Sequence, residues 1–357
     1  TILAVSREGM QEQESRQPVR QTSSFSQYAL GEIAIPIGGQ KMNLKEFLQE
    51  IKDEVKTLVS TEFDVQVTET KVVPNIDDSG ITFDNFDSKS KRCKTIETCV
   101  LYIDIRKSTQ LNLYHKPQTL AKLYSSFVRS MVRAAGFYGG YVRNIIGDRV
   151  MVIFDQKDCF VNAVNTAILL NTISSHIVNK HFKNNDVRCG IGIDYGKMLV
   201  VKTGTVKMGK ENPIYKSLVW LGKPANIASK LTDEANKTKV ASEKGVRAGY
   251  YYPSLGEWFW IDVENSQFLD KLQPTFSPTL RHKDQYFSTF FQTSINHSTY
   301  TPAILVTSEV FDGFMRNAPG APSIINGWWT KQSISIPEYD GDVYGVDVYY
   351  LVADEIK

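Results

Sequence analysis

Cysteine is scarce in this chain. There are four in 357 residues, Cys93, Cys99, Cys159 and Cys189. None forms a CxxC pair, and no histidine stands near one at zinc-ligand spacing, which excludes a zinc ribbon and a disulfide framework. The simplest reading is reduced thiols in a cytoplasmic protein. Long apolar runs are missing too: none approaches the ~20 residues that a membrane span needs. The N-terminal stretch turns polar after five residues, so no secretory leader is expected. An excess of one charge is also absent. Lys and Arg number 41 against 39 Asp and Glu, a net +2 that gives no footing for a nucleic-acid or membrane surface. No internal repeat is present, and none of the five histidines falls in a motif.

What is present is enough apolar residues, 42%, for a substantial core in one large domain or two smaller ones. Residues 1 to 27 are rich in Gln, Ser, Arg and Glu, a composition that predicts a mobile tail. A helix is predicted at about 43 to 58. Asn43 caps it with Glu46 three residues on, and Leu44, Phe47, Leu48, Ile51, Val55 and Leu58 step by three and four. Loop-rich sequence leads to a strand at 98 to 106, "TCVLYIDIR", apolar enough to be central in its sheet. A helix follows, with Leu120, Leu123, Tyr124, Phe127, Val128, Met131 and Ala135 on one face. Gly136, Gly139 and Gly140 end it. Then come a hairpin, a helix at about 159 to 179 and two strands around "VRCGIGIDYGKMLVV". The order strand-helix-strand-strand-helix-strand is that of a ferredoxin-like, palm-type α+β sheet. Two domains are expected: a tail and helical extension over 1–95, and a domain over 96–353 with an aromatic-rich insertion at about 240–300. Tyr250, Tyr251, Tyr252, Trp258, Phe259 and Trp260 crowd that insertion. Core packing accounts for them, and a lid or partner surface is the other reading. Trp328 and Trp329 are ambiguous in the same way.

The hairpin, "YVRNIIGDRVMVIFD", places the triplet Gly147-Asp148-Arg149 between two apolar runs. Gly and Asp are turn formers, so a turn alone accounts for Asp148. Asp104, however, is read near the middle of its strand, where an ionised carboxylate is costly unless paired or bound to a cation. The palm topology lays that strand beside the hairpin and brings Asp104 close to Asp148. Two such carboxylates repel unless a divalent cation lies between them, and Mg²⁺ is commonly held by one or two carboxylates plus substrate phosphates. The competing reading is a turn residue and a strand-end cap. In "VWLGKPANIASKLTDEA", Gly222 makes a turn, Pro224 begins a helix, and Asn226 and Lys230 share one helical face. Such a pair taken alone is more often a solvated surface than a site.

"LYIDIRKSTQL", "NIIGDRVMVIF", "VRCGIGIDYGKM" and "LGKPANIASKL" resemble, in order and spacing, the motifs of class III nucleotide cyclase catalytic domains. "TPAILVTSEVFDGF" and the closing strand "DVYGVDVYYLV" resemble the end of that domain. The resemblance covers about 96–240 and 300–353. It implies that Asp104 and Asp148 bind two Mg²⁺ or Mn²⁺ ions, with Ile105 beside them in the metal site. Ile105, Arg106 and Lys107 fall where backbone amides meet the triphosphate, and Arg188 matches an arginine that contacts phosphates. Asn226 matches the asparagine that orients the ribose. Lys230 replaces the arginine that stabilises the transition state, which keeps the charge but loses the planar fork. The family's sites form at a dimer interface, so a homodimer is implied. The reaction is attack of the ribose 3′-oxygen on the α-phosphorus, with pyrophosphate leaving.

Adenylate cyclases of the family typically read adenine with Lys and with Asp or Thr, and guanylate cyclases read guanine with Glu and Cys. Those two positions are Asn144 and Val219 here. With the "DIRKST" form of the first motif, this resembles the bacterial pyrimidine cyclases of Pycsar antiphage systems, which make cyclic UMP or cyclic CMP for a partner effector. Arg143 adjoins the base-reading position. An amide serves uracil or cytosine equally by flipping, and UTP is the favoured expectation. An adenylate cyclase with an unusual pocket and a non-catalytic nucleotide-binding domain are the alternatives. Retention of both aspartates argues against the second.

Overall fold

A computed structural model describes residues 34–37, 40–182, 187–207, 210–276 and 279–356; the chain divides into two units, residues 1–60 and 61–357. The tail expected over 1–27 lies outside the described residues. In the first unit β1 (Ala34–Ile37) and β2 (Gln40–Asn43) form an antiparallel pair, followed by α1 (Leu44–Leu58). The expected cap is present in full: Asn43 Oδ1 accepts from the Glu46 amide at 2.9 Å, and the Glu46 carboxylate accepts from the Asn43 amide at 3.1 Å.

In the second unit β3 (Asp64–Glu69) runs parallel to β4 (Ser90–Ile105). Then come α2 (Ser108–Tyr114), α3 (Pro117–Phe137), β5 (Gly140–Ile146), β6 (Arg149–Phe154), α4 (Cys159–Thr172), β7 (Cys189–Lys207), β8 (Lys210–Leu221) and α5 (Lys223–Glu234). The sheet order through the centre is β7-β4-β6-β5. With β4 counted first, this is the 4-1-3-2 order of a ferredoxin-like sheet, as the element order predicted.

Both faces of β4 are covered, which is why its sequence reads as a continuous apolar run. Cys99, Leu101, Ile103 and Ile105 pack with Leu123, Phe127 and Met131 of α3 and Ala163 and Ala167 of α4. Val100 packs on the opposite side with Met151, Met198 and with Ala225 and Ala228 of α5. α5 approaches the sheet so closely that β7 needs glycine beneath it. A Cβ on Gly192 would lie 2.3 Å from the Ala228 carbonyl oxygen, and one on Gly190 would lie 2.6 Å from that of Thr232.

Three expectations about elements change. "VRCGIGIDYGKMLVV" is one strand rather than two: β7 continues unbroken past Gly196 and pairs with β4 along Cys189 to Val200. The helix from Cys159 is α-helical only to Thr172, and Ile173–Val178 form a π turn. The closing segment is a strand only over Val343–Val346, because Thr172 Oγ1 accepts from the Tyr350 amide at 3.0 Å and Asn171 Nδ2 donates to the Val348 carbonyl at 2.9 Å. Those bonds draw the backbone toward α4 instead.

The aromatic-rich insertion is a small layer of its own. β9 (Thr238–Tyr252) is the centre of a three-stranded sheet with β10 (Glu257–Glu264) and β13 (Phe287–Tyr300). α6 (Asn265–Asp270), β11 (Leu272–Pro274) and β12 (Leu280–His282) lie between the last two. One face buries Val246, Ala248, Tyr250, Val263 and Phe268. The other exposes Tyr251, Trp258, Trp260 and Phe291, whose rings touch in succession, with Trp258 and Trp260 stacked and the other two pairs tilted. Core packing therefore explains Tyr250 and, in part, Tyr252, but not Tyr251, Trp258, Phe259 or Trp260. The chain returns through β14 (Ile304–Thr307), α7 (Ser308–Asn317), α8 (Pro322–Ile325), β15 (Thr330–Gln332) and β16 (Val343–Val346). β14 pairs parallel with β7 and antiparallel with β16. Trp329 is buried against Phe311 and Phe314, whereas Trp328 is half exposed. All four cysteines are buried and unbridged, as expected. Among the described residues no helix is long and apolar enough to cross a membrane.

The close approach of α5 to β7 gives a direct test. Gly192→Ala must push α5 off the sheet, and overpacking of this kind costs about 1–3 kcal/mol. Chemical denaturation should show a lowered midpoint with an unchanged slope. A midpoint equal to that of the wild type would contradict the packing described.

Candidate active site

Asp104 is the penultimate residue of β4, not a mid-strand residue as its sequence context suggested. Alternation places it, with Tyr102 and Val100, on the α5 side of the sheet. The hairpin β5–β6 turns at Gly147, whose φ of 62° is the left-handed conformation that glycine adopts freely, and Asp148 follows at the tip. The two carboxyl groups meet across the strand end. Asp148 Oδ2 accepts from the Ile105 amide at 3.1 Å. Burial, reinforced by contact with the Asp104 carboxyl, pushes the Asp148 carboxyl up to about 6.

Asp104 has a partner that the sequence reading did not assign. Arg149 Nη2 and Nε donate to Asp104 Oδ2 at 2.7 and 3.2 Å. The same guanidinium reaches α5, where Nη1 donates to Ser229 Oγ at 2.7 Å and Nη2 donates to Asp233 Oδ1. Ser229 and Asp233 are four apart and share a helical face, a spacing that was visible in "ASKLTDE" and could have signalled the contact. Arg106 completes the cluster. Its Nη1 donates to the Asp233 carbonyl at 2.9 Å, its Nη2 lies 3.8 Å from Asp104, and its Nε is buried without a partner.

Asp104, Ile105, Arg106 and Asp148 are thus brought together. The backbone amides expected to meet a triphosphate are in use in part: Ile105 N donates to Asp148, and Arg106 N donates to the Arg188 carbonyl at 2.6 Å. Lys107 is exposed in the left-handed conformation, φ 56°, at the start of α2. Arg188 is exposed, and its charge acts on Tyr300. Asn226 is exposed on α5, while Ile227 and Leu231 of that helix are buried, as their spacing predicted. Lys230 Nζ donates to the Pro337 carbonyl at 3.0 Å and to Glu338 at 3.1 Å, away from the carboxylate pair.

The base-reading candidates sit on separate strands. Asn144 is exposed on β5 opposite Met151 of β6, and Val219 lies on β8 opposite Val201 of β7. β6, β4 and β7 intervene, so one chain does not join them through a shared strand pair. Arg143 is the extra residue of a bulge between Val142 and Asn144. Its guanidinium lies 5.1 Å from the centre of the Tyr141 ring, and its Nε is buried without a partner.

Among the described residues no cluster of three or more His, Cys, Asp or Glu side chains is placed to hold a metal ion. The donor set is two carboxylates, one of them burdened by the other's charge. That set fits a divalent cation which takes its remaining ligands from phosphate oxygens and water.

A profile of the family described as adenylate and guanylate cyclase catalytic domain matches residues 89–248. The chain is 28% identical over 201 residues to a uridylate cyclase of Burkholderia cepacia, covering 54% of this chain and 82% of that one. It is 30% identical over 190 residues to a uridylate cyclase of Xanthomonas perforans, covering 51% and 76%. It is 25% identical over 181 residues to a cytidylate cyclase of Staphylococcus aureus, covering 48% and 42%.

The raised Asp148 carboxyl predicts a pH-dependent stability. An acid whose folded pKa lies above its unfolded value of 3.8 costs stability above about pH 6, and the cost disappears below about pH 4. With metal chelated, Asp148→Asn should be more stable than wild type at about pH 8 by about 1 kcal/mol after discounting for solvent screening. The two should converge at about pH 3.5. Thermal unfolding at both pH values decides it, and a variant no more stable at the higher pH would refute the assignment.

Proposed function

The chain belongs to the class III nucleotide cyclase family, and on that footing we propose that it converts a pyrimidine nucleoside triphosphate to the 3′,5′-cyclic monophosphate and pyrophosphate. The observation that carries the proposal is the meeting of Asp104 and Asp148, one from a central strand end and one from a hairpin tip. When bound, two Mg²⁺ or Mn²⁺ ions supply the lowered pKa of the 3′-hydroxyl and the neutralisation of the leaving group. Asp104 and Asp148, with Ile105 beside them, hold those ions. Other groups of the chain do the rest. The backbone at Arg106 and Lys107 meets the triphosphate, Arg188 contacts its phosphates, and Asn226 orients the ribose. Lys230 meets the charge that develops on the phosphoryl oxygens as the 3′-oxygen attacks and the bond to pyrophosphate breaks.

Asn226 and Lys230 point the proposal toward a homodimer. Within one chain Lys230 is engaged by Pro337 and Glu338 rather than by the carboxylate pair, so a partner subunit is the source of the ribose and transition-state contacts at each site. The base assignment rests on Asn144 and Val219. Val219 offers no hydrogen bond, and a purine's polar edge buried against it is left partly unpaired, at a cost of ~1–3 kcal/mol. A pyrimidine is smaller and is read by Asn144 with Arg143 beside it. The names of the related uridylate cyclases favour UTP, with CTP next. The cyclic product is then a second messenger for an effector in antiphage defence.

Incubation with equal concentrations of the four nucleoside triphosphates and Mn²⁺, with products identified by mass spectrometry, should yield cyclic UMP above all others. Dominant cyclic AMP or cyclic GMP would overturn the pyrimidine assignment and leave the cyclase reading in place. Asp104→Ala and Asp148→Ala should each abolish turnover while the far-UV circular dichroism stays unchanged. Wild-type turnover by either would remove them from the metal site.

Mixing inactive Asp104→Ala chains with inactive Asn226→Ala chains should restore activity, because one of the two sites in the mixed dimer then carries both intact halves. Mixed dimers without activity would place all the groups of a site in one chain.

A further inference from the structure

Arg149 is the residue of this cluster to which the proposed chemistry gives no task. Its geometry is that of a group with two loyalties. Two of its N–H groups converge on a single oxygen, Oδ2 of Asp104, and two others reach Ser229 and Asp233 on α5. The guanidinium is half-buried, with a side chain 24% exposed, and Asp104 is 17% exposed. Hydrogen bonds left unmade there are therefore not readily replaced by solvent.

We propose that Arg149 is an internal counter-ion that exchanges Asp104 for the triphosphate. The inference rests on the metal-site reading of Asp104 and Asp148. A divalent cation that takes Oδ2 of Asp104 competes for that oxygen with the two guanidinium donors, and the guanidinium and the cation repel at such separations. Loading the site therefore frees Nε–H and one Nη2–H of Arg149. Ser229 and Asp233 hold the guanidinium in place on its other side, so it cannot leave with its charge. The two freed donors are parallel and form a fork, the arrangement that binds phosphate oxygens in pairs. The polyphosphate that enters with the metal supplies that acceptor. Arg106 is not equivalent: its Nη2 stands 3.8 Å from Asp104 and makes no hydrogen bond there, so metal binding at Asp104 releases none of its donors. Arg149 thus does two opposed things. It neutralises the carboxylate pair while no metal is bound, which weakens metal binding alone, and it strengthens binding of the metal with a polyphosphate.

The test uses the full chain and two probes, Mn²⁺ alone, followed by the electron paramagnetic resonance of the free ion, and inorganic tripolyphosphate titrated calorimetrically in excess Mn²⁺. Arg149→Gln should bind Mn²⁺ alone roughly 5-fold more tightly because a competing charge is gone. It should bind tripolyphosphate about 10-fold or more weakly because a charge-assisted fork is gone. Shifts of opposite sign are the signature. Weakening of both, or no change in either, makes Arg149 a structural ion pair and overturns the exchange. Arg149→Lys keeps the charge without the fork and guards against a Gln variant that fails to fold. It should bind tripolyphosphate more weakly than wild type, and affinity equal to wild type would overturn the proposal. A wild-type chain that takes up Mn²⁺ neither alone nor with tripolyphosphate would instead bring down the metal-site reading itself. That outcome is distinguishable from a wild type that binds Mn²⁺ and a variant that does the same.

Discussion

Two carboxylates held against each other at a strand end are the constraint to which the surrounding structure answers. Left alone, Asp104 and Asp148 would repel, and burial would aggravate the cost. The fold meets this with three devices. The Ile105 amide donates to Asp148, the Arg149 guanidinium donates to Asp104, and the Asp148 carboxyl holds its proton to about 6. Each device depends on an element placed elsewhere. The hairpin tip must reach the end of β4, and α5 must lie low enough on the sheet to offer Ser229 and Asp233 to Arg149. Gly190 and Gly192 make that low position of α5 sterically possible. A pair of small residues in β7 is in this way part of the electrostatics two strands away.

The palm order of the sheet was legible in the sequence because each element obeyed its own period. β4 reads as an unbroken apolar run since helices cover both its faces, and α3 and α5 show their buried stripes at three- and four-residue steps. The cap on α1 was legible for a local reason: Asn43 and Glu46 need only each other. The failures share a different cause. Two strands were expected where β7 runs unbroken, and its glycines are residues that normally punctuate a chain. Here Gly190 and Gly192 serve close packing by α5, a helix that lies well downstream in the chain. The shortening of the last strand is imposed by Asn171 and Thr172, which lie far upstream. Such long-range demands leave no periodic mark.

The same distinction runs through the site. Asp104 and Asp148 could be paired from topology alone, since adjacent strands and a hairpin tip leave few choices. The side-chain partners were not fixed by topology, although the spacing of Ser229 and Asp233 was visible. Arg149 was visible only as the third member of a polar turn, and its role follows from α5 passing above it. The bulge at Arg143 is similar. It adds a residue to β5 without a sequence sign and sets the phase of Asn144 relative to Met151. Strand phase decides which face a residue presents, so a base-reading residue next to a bulge is placed by that irregularity and not by its spacing from the glycine of the turn.

The aromatic layer enters and leaves the domain at one place. Thr238 pairs with Tyr300, the Thr301 amide donates to the Lys237 carbonyl, and the Asn236 amide donates to the Pro302 carbonyl. Its core of Val246, Ala248, Tyr250, Val263 and Phe268 is its own. An appendage joined to its host by two adjacent strands is topologically separable. The ladder at its base can be closed by a short turn without threading any other part of the chain. The layer can therefore change in length or sequence without disturbing the sheet that carries Asp104. It gives the host a site at which a foreign module can be spliced in.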